Sequence, residues 1–345
     1  MGIGRRMNKA PHSDRIGYLD GWRGLAVLLV LFGHFVTDRT VNGGRLGVEM
    51  FFVLSGRLMA ELLFVRIAPL RSFIIRRVSR IYPAFFVAII GLFALSTTGL
   101  VQKASPAHAI SSLLTVYNFS IQTLGRAKIY DHIWSLCVEL HTYVLLFGLA
   151  WLVRRQKFDA LTAIVALAVV EISIGIAMTA AGYGYRITYW HSYVRGASIL
   201  IGAATYLWFH NDTSRLDRLP AWSPIAFGAI GVVLNSFHVP DPLKYSVGTL
   251  ALALSMCSLP IAYGWVVRTA SAPALKLIGA WSFSIYLWQQ GFYALELKLA
   301  PLLIPVTIFV GWISFRYIEE PARKRINRWL HARQAKAIQP VTSPS

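Results

Sequence analysis

Apolar runs of about 20 residues recur along nearly the whole chain, and a run of that length crosses the hydrocarbon core of a bilayer as one α-helix. They fall at 21–37, 46–65, 81–101, 133–153, 158–181, 194–210, 220–237, 246–267, 277–297 and 302–318. In lipid every backbone polar group must be satisfied internally, which leaves helices or a closed barrel. The runs are continuous rather than alternating, so a barrel is excluded. Only 14% of the 345 residues are charged, against roughly a quarter in soluble domains. The predicted fold class is therefore all-α, a polytopic membrane bundle of about ten helices with both termini on one side.

Charge gives the orientation. With the N-terminus inside, 23 of the 34 Lys and Arg lie in inner segments and 9 in outer ones, which predicts an N-in/C-in protein. The net charge of +19 is thus a topology signal, and nucleic acid is not an expected partner. Residues 1–17 read as a cytoplasmic segment, 18–320 as the membrane-embedded domain, and 321–345 as a basic cytoplasmic tail. That tail lies on the anionic inner surface and then becomes disordered. The first apolar run lacks a small-residue cleavage site and is followed by Thr37-Asp38-Arg39 and a second span, so it reads as a retained helix. Cys137 and Cys257 sit in apolar segments without ligand spacing, and no metal site is predicted.

Three constellations carry chemistry. Arg23 and His34 are the ionisable residues of the first span, eleven positions apart. They share one helical face about 16 Å apart along the axis, a costly placement that usually marks a site or pathway. His34 is the candidate general base. Asp38, one turn on, and Glu49, at the same depth in the second span, are candidates to orient its ring. The blander reading of His34 is an imidazole hydrogen-bonded between helices.

The second constellation is HIWSLCVELHTYVLL at the outer start of the fourth span. Ser135, Glu139 and Tyr143 step by four along one face, and an intramembrane Glu139 is a functional candidate by default. They are candidates for catalysis and acceptor binding, with Trp134 either beside them or simply in the interfacial aromatic belt. The third is RSFIIRRVSRIYP, residues 71–83. Arg76, Arg77 and Arg80 supply forks suited to phosphate, beyond what positive-inside anchoring requires. A phosphorylated acyl carrier at the inner face could extend its arm along the Arg23–His34 face. Elsewhere, Arg57 and Glu61 are spaced to pair, and Glu296 stands near an outer end.

At these residues the chain resembles the acyltransferase 3 family of integral membrane enzymes. The resemblance is carried in order by YLDGWRGLAVLLVLFGH (18–34), GVEMFFVLSG (47–56), FIIRRVSRIYPAFF (73–86), WSLCVELHTY (134–143), SFSIYLWQQ (282–290) and SFRYIEEP (314–321). It implies that His34 is catalytic, that Arg23 is tied to it, and that Glu139 falls on the family's glutamate. It also implies acyl-CoA as a cytoplasmic donor substrate, no permanently bound cofactor, and an acceptor modified on the outer side of the inner (plasma) membrane.

The chain departs from the family pattern at Glu49 (commonly Asp), Gln289 (commonly His) and Arg57 (commonly apolar). The hydrolase-like domain fused to some members has no counterpart in these residues, so a soluble partner, if transfer needs one, is expected on another chain. The leading expectation is an O-acyltransferase acting on a carbohydrate or small-molecule hydroxyl. A transporter of an acyl group or glycan is the alternative, although the broken helix pairs common in transporters are missing.

Overall fold

The computed structural model describes residues 17–36, 40–156, 159–297 and 300–338, with backbone alone at 70–71 and 331–338. Thirteen α-helices of eight residues or more organise these residues: α1 (Gly17–Phe35), α2 (Gly43–Ala60), α3 (Leu70–Ser96), α4 (Pro106–Leu113), α5 (Tyr117–Leu124), α6 (Ile133–Gln156), α7 (Ala160–Ala180), α8 (Ser192–Asn211), α9 (Ser223–Leu234), α10 (Thr249–Ser258), α11 (Pro273–Ala294), α12 (Leu303–Ser314) and α13 (Glu320–Ile338). Among the described residues there is no strand; Val41 and Ser236 form an isolated bridge.

Each of the ten apolar runs contains a helix, but among the described residues five helical stretches are long and apolar enough to cross a membrane by themselves: Ser72–Ser96, Ile133–Gln156, Ala160–Ala180, Asp241–Ile261 and Ala300–Leu330. The difference lies in where the other helices sit. A helix enclosed by other helices need not be apolar all round. Accordingly α2 and α8 bury Glu49, Arg57 and Arg195, and α11 buries Gln289 and Gln290. The seventh run yields only the short α9, and the eighth stops at Ile261, with a separate short helix at Gly264–Ala270. The start of the expected cytoplasmic tail is helical, as α13.

At the centre α1 packs on α2 and α11, and α2 packs on α8. The contact is close because small residues face one another. A Cβ added at Gly33 would sit 2.1 Å from the Gly44 nitrogen, and one at Gly24 would sit 2.2 Å from the Leu275 carbonyl oxygen. This brings backbone to backbone and fixes the position of His34, the next residue after Gly33.

The long connection between α3 and α6 is built rather than loose. Ser105 and His108 form a capping box at α4. The Tyr117 hydroxyl donates to the Ala127 carbonyl at 3.0 Å, and the Tyr130 hydroxyl donates to the Ile89 carbonyl of α3 at 3.1 Å. Arg126 Nε donates to Asp131 at 2.7 Å. These ties hold Lys128 and His132 against α11.

Candidate active site

The sequence-derived face of α6 points into a cavity. Ser135, Glu139 and Tyr143 line it together with Arg23 of α1, Ser55 of α2, Arg77 and Arg80 of α3, and Tyr286 of α11. The space among them not filled by atoms is about 740 Å³, part of it open. On α3 the inward positions are 77, 81, 84, 85 and 88, with Ile81, Ala84, Phe85 and Ala88 buried. Arg76 lies one position off this face; it is exposed and lines no part of the cavity.

Inside the cavity the charges are unevenly matched. Arg23 pairs with Asp20 at 3.3 Å, because α1 starts earlier than the apolar pattern suggests and so includes Asp20. Glu139 accepts from Ser55 at 2.7 Å and from the Tyr143 hydroxyl. Arg77 lies over the Tyr143 ring, 5.2 Å from its centroid. Among the described residues, Arg77 and Arg80 make no ion pair.

A second, shallower pocket shares Arg23, Leu58 and Arg80 with the first and adds Arg57, Arg66 and Arg323. Its carboxylates are Asp20 and Glu61, and Glu61 carries both Arg57, at 3.2 Å, and Arg66. The Arg57–Glu61 pairing expected from their spacing therefore forms. The two pockets together make a cation-rich mouth that narrows to a cavity ending at Ser135 and Tyr286. The forks of Arg77 and Arg80, which pair with no carboxylate among the described residues, suit phosphate oxygens.

His34 lies outside this cavity. Its ring stacks on Tyr293, with centroids 4.7 Å apart, and its Nδ1 is 2.6 Å from Gln289 Oε1. The Gln289 amide is oriented by a chain of donors. Gln289 Nε2 donates to Gln290 Oε1 at 3.4 Å, and Gln290 Nε2 donates to the Lys128 carbonyl at 2.7 Å. Gln289 therefore presents its oxygen to His34, Nδ1 must carry the proton, and Nε2 is the basic nitrogen. Lys128 closes the cluster from the α3–α6 connection: its ammonium lies 4.8 Å from the Tyr293 centroid and pairs with Glu296.

The structure redistributes the predicted orienters. Glu49 is fully buried but faces α8, where it pairs with Arg195. It also accepts from Tyr189 at 3.2 Å and from Thr249 at 2.8 Å. With both oxygens so engaged, Glu49 does not hold the His34 ring; the neutral amide of Gln289 does. Asp38 lies outside the described residues. Trp134 is buried one position away from the cavity face, edge-on to Phe52 (5.9 Å) and stacked on Trp190 (6.1 Å), so it packs the core.

Sequence reasoning missed Gln289 as the partner of His34 and Gln290 as the residue behind it, Tyr286 and Ser55 as lining, and Arg195 as the mate of Glu49. One signal was available: positions 286, 289, 290 and 293 share one helical face. Arg195 carried none, since it reads as an outer-loop cation at the edge of an apolar run. Among the described residues no group of His, Cys, Asp and Glu is arranged to hold a metal.

The profile of an acyltransferase domain matches residues 16–317. A Staphylococcus aureus (strain COL) protein, provisionally named an O-acetyltransferase, is 28% identical over 89% of this chain and 57% of its own length. The peptidoglycan O-acetyltransferase OatA of Listeria monocytogenes is 26% identical over 89% of this chain and 55% of its own. The chain thus spans little more than half the length of the curated relatives it matches. No solved structure matches it.

Proposed function

The chain belongs to the acyltransferase domain family, and on that premise we propose a membrane O-acyltransferase that moves an acetyl or other short acyl group from acyl-CoA to a glycan hydroxyl. The observation that carries this reading is the cation-rich cavity of Arg23, Arg77 and Arg80, which ends near a histidine of defined tautomer. The arginines bind the phosphates of CoA. Ser55, Ser135, Glu139, Tyr143 and Tyr286 line the narrow part, which takes the pantetheine arm and the thioester. In this reading Ser135, Glu139 and Tyr143 serve the donor rather than the acceptor.

At the far end His34 Nε2 takes the proton of the acceptor hydroxyl as its oxygen attacks the thioester carbonyl carbon. The tetrahedral intermediate collapses, the carbon–sulfur bond breaks, and the imidazolium returns its proton to the CoA thiolate. Gln289 holds the ring through Nδ1–H throughout. The positive-inside bias sets the arginine mouth at the cytoplasmic face of the plasma membrane and His34 toward the outer face. The peptidoglycan named for the Listeria relative makes a wall glycan the first acceptor to try.

The test uses purified full-length protein, radiolabelled acetyl-CoA and soluble N-acetylglucosamine oligomers. His34→Ala should reduce acetyl transfer to background while the protein stays membrane-inserted. Arg77→Ala and Arg80→Ala should each raise the KM for acetyl-CoA about tenfold, the scale of one lost charge-assisted contact. An active His34→Ala enzyme, or glycan acetylation without consumption of acetyl-CoA, would overturn the reading.

A further inference from the structure

His132, just before α6, is 3% exposed. Neither of its ring nitrogens makes a hydrogen bond among the described residues. A neutral imidazole has one N–H and one lone pair, and an unsatisfied buried polar group costs about 1–3 kcal/mol. Such a group calls for an explanation, and its surroundings supply one. The His132 ring lies 5.5 Å from the ring of Tyr286, which lines the inner end of the cavity. Along the same face of α11, His34 reaches Gln289 and Tyr293, one and two turns beyond Tyr286. His132 thus adjoins Tyr286 about one turn of α11 from the residues that hold the base.

The hydroxyls beside it are already committed. Ser135 donates to the His132 carbonyl at 3.1 Å, and Tyr286 donates to the same oxygen at 2.9 Å. The two hydroxyl oxygens are themselves 2.6 Å apart. These bonds lock the backbone of His132; the backbone of Leu287 approaches its ring without forming a hydrogen bond of normal geometry, so the ring N–H is left uncommitted beside Tyr286.

We propose that His132 is the second histidine of the acyl-transfer site, donating its ring N–H to the thioester carbonyl oxygen as the acyl group passes from the cavity to His34. The proposal rests on the acyl-CoA reading above. As the acceptor oxygen bonds to the carbonyl carbon, the π electrons move onto the carbonyl oxygen, and the His132 N–H stabilises that oxyanion. When the carbon–sulfur bond breaks the carbonyl re-forms, and the His132 proton never leaves its nitrogen. His34 alone carries the proton from hydroxyl to thiolate. An N–H preset for an oxyanion contributes about 10²–10³ in kcat.

The test compares His132→Ala, His132→Asn and His132→Phe in the full-length protein, again with acetyl-CoA and N-acetylglucosamine oligomers, and reads kcat, KM for acetyl-CoA and thermal unfolding. His132→Ala and His132→Phe should lose about 10²–10³ in kcat, with KM within threefold of wild type. His132→Asn, which keeps an N–H donor, should recover at least tenfold over His132→Ala. A His132→Phe enzyme within threefold of wild-type kcat overturns the proposal, and so does a folded His132→Asn no better than His132→Phe. If His132→Ala does not fold, the Asn-to-Phe comparison decides alone. A wild-type protein that transfers nothing from acetyl-CoA fails the parent reading; an active wild type indifferent to position 132 fails this assignment alone.

Discussion

A histidine serves as a base only where one nitrogen is kept free of its proton, and in the reaction proposed for this protein a neutral amide takes the place that a carboxylate has in the Ser-His-Asp arrangement. Gln289 fixes the tautomer of His34 without adding charge to the membrane, where an unpaired carboxylate would be costly. Gln289→Leu should therefore lower kcat by about 10–100-fold, the cost typical of losing a partner that orients a functional histidine. KM for acetyl-CoA should barely move, because the cavity arginines are untouched; a Gln289→Leu enzyme with full kcat would remove the amide from the mechanism. Glu49 is the converse case, a residue legible as important but misread in role. Breaking a buried ion pair by removing one partner costs about 3–5 kcal/mol, whereas replacing both charges is often close to neutral. Glu49→Gln should thus lower the unfolding temperature in detergent markedly, and Glu49→Gln with Arg195→Met should recover most of the loss. Arg23, His34 and Glu139 were legible because charge in an apolar run is rare, and Arg77 and Arg80 because they cluster as arginines just before one. Gln289 and Arg195 were not, since a glutamine carries no such signal and the partner of Glu49 stands 146 positions away.

Helix existence was legible from the apolar runs, because length and hydropathy are properties of a segment by itself. Whether a helix meets lipid or other helices is a property of its neighbours, which is why α1, α2, α8 and α11 read as spans but pack as core. The glycines show the same division. Gly33 and Gly148 look alike in sequence, yet a Cβ at Gly33 would meet the Gly44 backbone at 2.1 Å while one at Gly148 would meet nothing within 4 Å. Gly33→Ala must force α1 from α2, and overpacking of this kind costs about 1–3 kcal/mol. It should also displace His34 and so reduce acetyl transfer along with stability. Gly148→Ala should leave transfer unchanged and stabilise α6 by up to about 1 kcal/mol, the helix-propensity gain of Ala over Gly. Unfolding temperature and acetyl transfer measured on the two variants check both statements, and equal effects would show that the α1–α2 contact is not close.

At the scale of the whole molecule, the arginine mouth and the His34 cluster occupy different ends of the site, so orientation decides which compartment supplies donor and which supplies acceptor. Arg23 and His34 mark the two ends on α1 itself, while Arg77 and Arg80 of α3, Lys128 of the α3–α6 connection and Gln289 of α11 reach them from segments far apart in sequence. No local pattern could bring them together; the packing of α1 between α2 and α11 does. The orientation itself rests on loop charge, a statistical preference of membrane insertion, and it can be tested without reference to activity. Both native cysteines, Cys137 and Cys257, are buried, which makes the chain suited to single-cysteine labelling once they are replaced by Ala. Thr123 in α5 and Arg218 in the α8–α9 connection are both exposed. In intact cells a membrane-impermeant maleimide should label Thr123→Cys, and it should label Arg218→Cys only after the membrane that holds the protein is permeabilised. The reverse pattern would put the arginine mouth outside, where cells keep no pool of acyl-CoA, and the proposed donor would have to be abandoned even though every contact in the cavity stayed as described.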